Sequence, residues 1–362
     1  MQNAMQVLRA ATCLCLLFAV RMPGQQKLTF TTFEAPGAGT AADQGTNPIS
    51  INAGGFTTGW YTDTSGFSHA FVRAPNGSVT TFDAPLASNG TIGLSINAAG
   101  AIVGYSEDAR GVYHGFVRAA DGAITMIDAP GAGTTAALGT LACGINAAGT
   151  IAGYYADAND ELHAYVREGN GTVTTFDAPG AGTGLGQGTR ALSINPAGVI
   201  AGYYQDASGA FHGFVRALGG DITSFDAPGE GPEGTYALSI NGGGVVTGYY
   251  VDANYVDHGF VRAASGDITT FGACAVANRD QGTLSQSIGA TGSVTGYCVD
   301  ASSMYYGFVR GAENGAINRF SAPGAGTGGG QGTYAYSIND AGVIAGYYVD
   351  ASGVHHGFLL TP

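Results

Sequence analysis

The sequence predicts an all-β protein, a seven-bladed β-propeller with four-stranded antiparallel blades. Three observations predict it: a tripeptide recurs seven times, each recurrence holds four strand-like runs, and the two chain ends carry complementary fractions of one unit. The tripeptide Ser-Ile-Asn ends at Asn52, Asn97, Asn195, Asn241 and Asn339, with Gly-Ile-Asn at Asn146 and Ser-Ile-Gly at Gly289. Successive copies lie 45 to 50 residues apart, the length of a propeller blade.

Within a copy, strand a reads "ALSIN" (191 to 195), strand b "VIAGYY" (199 to 204), strand c "FHGFVRA" (211 to 217) and strand d "DITSFDA" (221 to 227). Turn chemistry divides them. Asn-to-Gly turns such as "NPAG" join a to b, "DASG" joins b to c, and Asn-Gly or Asp-Gly pairs such as "PNGS" and "ADGA" join c to d. Asn-Gly supplies the positive φ of a tight hairpin. Only the d-to-a connection is long, as in "PGAGTGLGQGT" (179 to 189).

The last copy stops after strand c at "HHGFLLTP", while "KLTFTTFEA" (27 to 35) is a lone d strand near the start. The N-terminal strand is therefore expected to complete the last blade and close the ring, which leaves no open sheet edge. In each b–c hairpin a tyrosine is expected opposite the histidine, Tyr203 opposite His212 in the fourth copy.

Composition bounds the function. With 62 glycines and 11% charged residues the chain is rich in turns, and 45% hydrophobic content supplies a core. A net charge of −13 with a single lysine, Lys27, offers no basic patch for phosphates, so nucleic acid is not an expected partner. Arg9 followed by an apolar run from Ala10 to Val20 reads as a signal peptide over residues 1–24, which makes residues 25–362 one exported domain, secreted or periplasmic. That run is too short for a membrane span, so no transmembrane anchor is expected, and the chain is read as a monomer.

In its Ile-Asn turn, Gly-Tyr strand and His-Ala-Phe strand the chain resembles the bacterial extracellular HAF-type repeat family. His69, Ala70 and Phe71 spell the motif; other copies read His-Gly-Phe from His114, His212, His258 and His356, His-Ala-Tyr from His163 and Tyr-Gly-Phe from Tyr306. The resemblance spans nearly all of residues 27 to 361. It implies secretion and a propeller-like array, and it implies no enzyme activity.

Chemistry-bearing residues divide into repeated and variable ones. The histidines at the start of strand c lie on different copies, one in each of the first five, with Tyr306 in its place in the sixth and His355 with His356 in the seventh, so they are read as cross-strand structural pairs rather than a converging metal or acid–base set. Aspartates opening the b–c turns (Asp63, Asp108, Asp157, Asp206, Asp252, Asp300, Asp350) and ending strand d (Asp83, Asp128, Asp177, Asp226, with Glu34) form an acidic rim. Calcium is the functional reading of that rim, but the alternating ligands of a dedicated loop are missing and no cofactor is expected. No nucleophile elbow, zinc helix motif or P-loop is present.

A mostly amide column and a variable one converge where strand a begins. Gln44, Gln187, Glu233, Gln281 and Gln331 precede its Gly-Thr, and Arg190, Tyr236 and Tyr334 follow. These eight are the candidate ligand-binding residues of a central funnel, suited to a glycan or a protein ligand because aromatic faces stack and amides bond hydroxyls. A non-catalytic binding or scaffold module is the leading reading. The alternative is a carbohydrate-active hydrolase or lyase, with Glu230, Glu233 and Asp280 as first candidates. Cys274 and Cys298, both in the divergent sixth unit, are expected to form a disulfide, leaving Cys143 free.

Overall fold

Strand c carries the largest fully buried side chain of each repeat. Its motif aromatic, Phe71, Phe116, Tyr165, Phe214, Phe260, Phe308 or Phe358, is fully buried in every repeat. Each such ring meets the strand d ring of the preceding unit edge-on, as Phe176 meets Phe214 (6.2 Å between centroids) and Phe82 meets Phe116 (6.0 Å). The arginine ending strand c then lies over that same strand d ring, Arg216 over Phe176 at 4.6 Å and Arg118 over Phe82 at 4.7 Å. Burying each ring is worth about 1.5–3 kcal/mol, with about 0.5–1.5 kcal/mol more from the edge-to-face contact. The third repeat is the exception: Ile127 replaces the strand d ring, and Tyr165 donates its hydroxyl to Leu141 O at 3.2 Å instead.

The computed structural model describes residues 28–276 and 278–362. The proposed signal segment, residues 1–24, lies outside them. There are 28 strands in one sheet and no α-helix among the described residues. In the fourth repeat Gly188–Ile194 (a) pairs antiparallel with Ile200–Gln205 (b), b with Phe211–Arg216 (c), and c with Ile222–Phe225 (d). The same order repeats along the chain, from Gly45–Ile51 and its neighbours to Gly332–Ile338 and its own.

Two pairings close the sheet on itself. The N-terminal strand Thr29–Phe33 runs antiparallel to the last strand His355–Thr361, with Thr29 opposite Thr361 and Phe33 opposite Gly357. Each strand c also touches the next strand a through one parallel bridge, such as Phe211 with Gly234, and the last of these, His355 with Gly45, returns to the first repeat.

Glycine in the Gly-Tyr motif follows from a bulge. Every strand a shifts register by one residue after its fourth position, between Ala191 and Ser193 in the fourth repeat, and so bends around the axis. The strand b glycine lies against this bulge, and a Cβ on Gly202 would overlap the carbonyl oxygen of Arg190. The bulged residues Cys143, Leu192, Leu238, Gln286 and Tyr336 line a central cavity of ≈ 500 Å³.

The Asn of Ser-Ile-Asn does more than turn the chain. Its Oδ1 accepts the N–H four residues on, as Asn195 does from Val199 at 2.9 Å. Its Nδ2 donates to the same position of the next repeat: Asn52 to Asn97 O (2.9 Å), Asn97 to Asn146 O (3.0 Å) and Asn195 to Asn241 O (3.1 Å). Buried amides need such partners, so the ladder fixes neighbouring units against one another.

One register differs from the sequence reading. His212 lies opposite Tyr204, and Tyr203 lies opposite Gly213. Gln205 pairs with Phe211, so the b–c turn holds five residues, Asp206 to Ala210, one more than "DASG". Side chains alternate along a strand, so that single residue puts Tyr204 against the histidine and Tyr203 on the opposite face.

Candidate functional site

Antiparallel pairing brings the start of strands a and c and the end of strands b and d to one rim. On its outer part each histidine is clamped. His212 Nδ1 lies 2.7 Å from Asp226 and its Nε2 lies 3.5 Å from Asp206, while the ring stacks on Tyr204 (5.0 Å between centroids). The Ser208 hydroxyl, together with the Ala210 and Ser208 N–H groups, holds the Asp206 carboxyl down at about 2. The pair of carboxylates recurs around His69, His114 and His163, with Tyr61 and Tyr155 against the first and third and Ser106 opposite His114, and at the seam His356 Nδ1 lies 2.6 Å from Glu34. In the fifth repeat Gly272 replaces the strand d acid, and His258 keeps Asp252 alone.

Two side-chain groups on this rim have ligand geometry. Asp157, Glu161 and His163 form one; His212, Asp226 and Glu230 form the other. Their atoms are already engaged: Asp157 accepts the Asn159 and Glu161 N–H groups, and Glu230 accepts the Thr235 hydroxyl. Burial raises the Glu230 carboxyl.

The inner part of the rim is a funnel with three tiers. The third residue of strand a supplies one, Asn47, Ile92, Leu141, Arg190, Tyr236, Leu284 or Tyr334; the first ring of strand b supplies another, including Tyr203, Tyr249, Tyr297 and Tyr347. The first residue of strand c supplies the third: Ser68, Tyr113, Leu162, Phe211, Asp257, Tyr305 or His355. The sequence reading did not single out this third tier. Its signal was present, as a column that varies freely beside a constant histidine.

The candidate residues take different places. Gln44, Gln187, Gln281 and Gln331 use their Oε1 atoms to accept N–H groups of their own loops, from Ala41, Gly184, Asn278 and Gly328. Arg190 donates Nη2–H to Gly186 O at 2.8 Å and lies over Tyr203 and Phe211. Tyr236 stacks on Tyr249 (4.7 Å, 10°) and touches Tyr203 and Phe211. Tyr334 stacks on Tyr305 (4.3 Å) and Tyr347 (4.9 Å), and its hydroxyl donates to Gly330 O at 2.9 Å. His355 stacks on Tyr347 with Nδ1 2.8 Å from Asn47 Oδ1, and burial lowers its pKa. The variable positions from Arg190 to His355 include Phe211, Tyr236, Tyr305 and Tyr334, whereas the second and third repeats hold Ile92, Leu141 and Leu162 with Tyr113 there; strand b adds a ring in every repeat, Tyr105 and Tyr154 included.

Glu233 and Asp280 meet at a cavity of ≈ 230 Å³ together with Asp257, Tyr255, Tyr297, Tyr305 and Tyr334. Burial, then the charges of Asp280, Glu233 and Asp252, push the Asp257 carboxyl up to about 7. Tyr255 (φ 63°) and Asp280 (φ 61°) both hold left-handed backbone, and Asp280 N–H donates to Tyr255 O at 2.8 Å. Glu230 is not among this cavity's residues, so the three acids named for hydrolysis are divided between two places.

Cys274 and Cys298 are joined by a disulfide that ties the 272–281 loop to strand b of the sixth repeat. Cys143 is free, half-buried against the central cavity, and burial pushes its thiol up to about 12.

A closed cyclic sheet of short antiparallel strands with a funnel on its axis is the architecture of a β-propeller, and the comparisons agree. The fold is similar to that of virginiamycin B lyase from Staphylococcus aureus (TM-score 0.58, 14% identity, 93% of this chain and 100% of that one). It is also similar to the BP39L lectin from Burkholderia pseudomallei (TM-score 0.56, 10% identity, 86% and 94%). A third likeness is to the β-propeller domain of the Trilobed protease from Pyrococcus furiosus (TM-score 0.54, 8% identity, 88% and 95%), described as having an open velcro topology. Identities this low speak for the fold alone. No protein-family model matches the sequence, and no curated protein matches it. Among the described residues no helix is long and apolar enough to cross a membrane.

Proposed function

We propose that the chain is an exported, seven-bladed β-propeller of the HAF-repeat type, four strands to a blade, that binds a glycan in its funnel without transforming it. The observation that carries this is the stacking of the variable Tyr236, Tyr305 and Tyr334 on one another or on the repeated strand b rings Tyr249 and Tyr347 along one arc of the funnel. Flat faces at an open mouth suit sugar rings, which stack on aromatic carbons and offer hydroxyls to the flanking polar groups. The clamped histidines and the engaged outer carboxylates support a structural role for the outer rim.

A glycan microarray probed with the labelled protein tests the reading. Binding to a defined oligosaccharide is expected, and a Tyr236→Ala, Tyr334→Ala double variant should lose it at least tenfold while melting as a folded protein. Undiminished binding by that variant would move the site off the funnel. A blank array would turn the reading toward a protein ligand, and release of sugar products from a bound glycan would overturn the non-catalytic part.

A further inference from the structure

The cavity at the fifth and sixth repeats carries charge at places where the other repeats are neutral. At the head of strand c, Asp257 is the only acid among Ser68, Tyr113, Leu162, Phe211, Tyr305 and His355. At the residue before Gly-Thr, Glu233 stands alone among amides and Leu138. Asp280 joins them from the loop that the disulfide tethers. Three carboxylates therefore face a tyrosine-walled space, and no Lys or Arg is among its lining residues. The half-buried Asp257 carboxyl has no hydrogen bond or ion pair among the described residues, so nothing there offsets the cost of ionising it, and a cation entering the cavity would.

The chain's own cation shows what this edge holds. Arg279 places Nε 3.2 Å from the Asp280 carboxylate and its guanidinium 4.4 Å over the Tyr255 ring. Carboxylate and aromatic face together hold a cation there, one residue along the loop from the cavity. Inside, the Tyr305–Tyr334 stack and Tyr297 offer further rings around Asp257. Cations bind aromatic faces most strongly where water is partly excluded.

We infer that this cavity is a binding site for a protonated amine. Resting on the glycan reading above, it makes the preferred ligand an amino sugar with a free ammonium group: sugar rings stack along the tyrosine arc and the ammonium points to Asp257, Glu233 and Asp280. An N-acetylated sugar lacks the charge that the carboxylates select.

Isothermal titration of the purified protein with β-1,4-linked glucosamine tetramer, its N-acetylated counterpart and putrescine tests this, at low and at high salt. The amine tetramer should bind at least tenfold more tightly than the acetylated one. Asp257→Asn should abolish that preference, whereas Asp221→Asn, which removes an equal charge from an exposed turn elsewhere, should leave it intact. Equal binding of both tetramers, unaltered in Asp257→Asn, would overturn the amine site and leave the glycan reading standing. Binding of putrescine alone, lost in Asp257→Asn and kept in Asp221→Asn, would uphold the amine site and overturn the glycan reading. Equal losses in the two variants, or no binding of any probe, would overturn the site.

Discussion

Asn339 donates its Nδ2–H to the backbone carbonyl of Asn52 at 3.1 Å, across 287 residues of sequence. The same bond joins Asn52 to Asn97, Asn97 to Asn146, Asn146 to Asn195, Asn195 to Asn241 and Asn241 to Gly289. The seventh link is the one the sequence omits, because Gly289 has no amide to reach Asn339. There Ala290 N–H donates to the Asp340 carboxylate at 3.3 Å instead.

Gly289→Asn should complete the ladder. Its φ is not in the left-handed range, and a Cβ there would meet Asn339 O at 3.6 Å and Ser293 O at 3.8 Å, ordinary contact. One added buried hydrogen bond is worth about 1 kcal/mol, so a rise in Tm by differential scanning calorimetry is the expected result. Asn195→Ala, which strips the link to Asn241 and the Val199 N–H acceptor, should cost about 2–3 kcal/mol. An unchanged Tm in both would mean that the ladder contributes nothing to holding the ring.

Removing residues 25 to 36 takes away the strand paired with His355–Thr361 and the rings of Phe30 and Phe33, which pack on Phe358 and Phe71. At about 1.5–3 kcal/mol for each buried ring, the truncated chain should lose roughly 3–6 kcal/mol and expose an unpaired edge. Melting and light scattering measure both effects. A truncated chain that melts like the longer one and stays monodisperse would show that this strand does not close the fold.

Reduction of Cys274–Cys298, separated by 24 residues, should destabilise the protein by about 3 kcal/mol on a chain-entropy estimate. Calorimetry with and without reductant reads this, and a Cys274→Ala, Cys298→Ala variant should be indifferent to reductant. Without reductant, Cys143 is the sole thiol left to alkylate among the described residues. Because burial pushes it up to about 12, it should react slowly at pH 8 until the protein unfolds.

Asp257 should make stability fall as pH rises through neutrality. Its carboxyl stands at about 7 in the folded chain against an ordinary 3.8, so the folded state holds a proton that the unfolded chain has released. That contribution is fully present below pH 4 and is lost as pH rises through 7. With solvent screening at this half-buried site, the difference from Asp257→Asn should be about 1–2 kcal/mol between pH 4 and pH 8. Parallel stability curves for the two proteins would place the Asp257 pKa near its ordinary value.

Much of the site was legible only in part. Tyr236, Tyr334 and Arg190 stood out because they vary beside a constant Gly-Thr, and they do line the funnel. The glutamines varied little, and their amides serve their own loops. Asp257 and Tyr305 were missed because Asp257 lies 24 residues from Glu233 and 23 from Asp280, Tyr305 lies 29 from Tyr334, and no local pattern marks those meetings.

The sequence alone determined the strands, their turns and the complementary ends, since alternating side chains, Asn-Gly pairs and a period of 45 to 50 residues are local physics written seven times. It also carried the Cys274 and Cys298 substitutions that the folded chain joins. The tertiary structure alone decided which tyrosine of Gly-Tyr-Tyr meets the histidine, because a fifth residue in the b–c turn, Ala210 in the fourth repeat, shifts the register by one. It alone decided the amide ladder and the gathering of Glu233, Asp257 and Asp280 as well. Those contacts run between units, and ring closure, rather than nearness in sequence, sets which residues become neighbours.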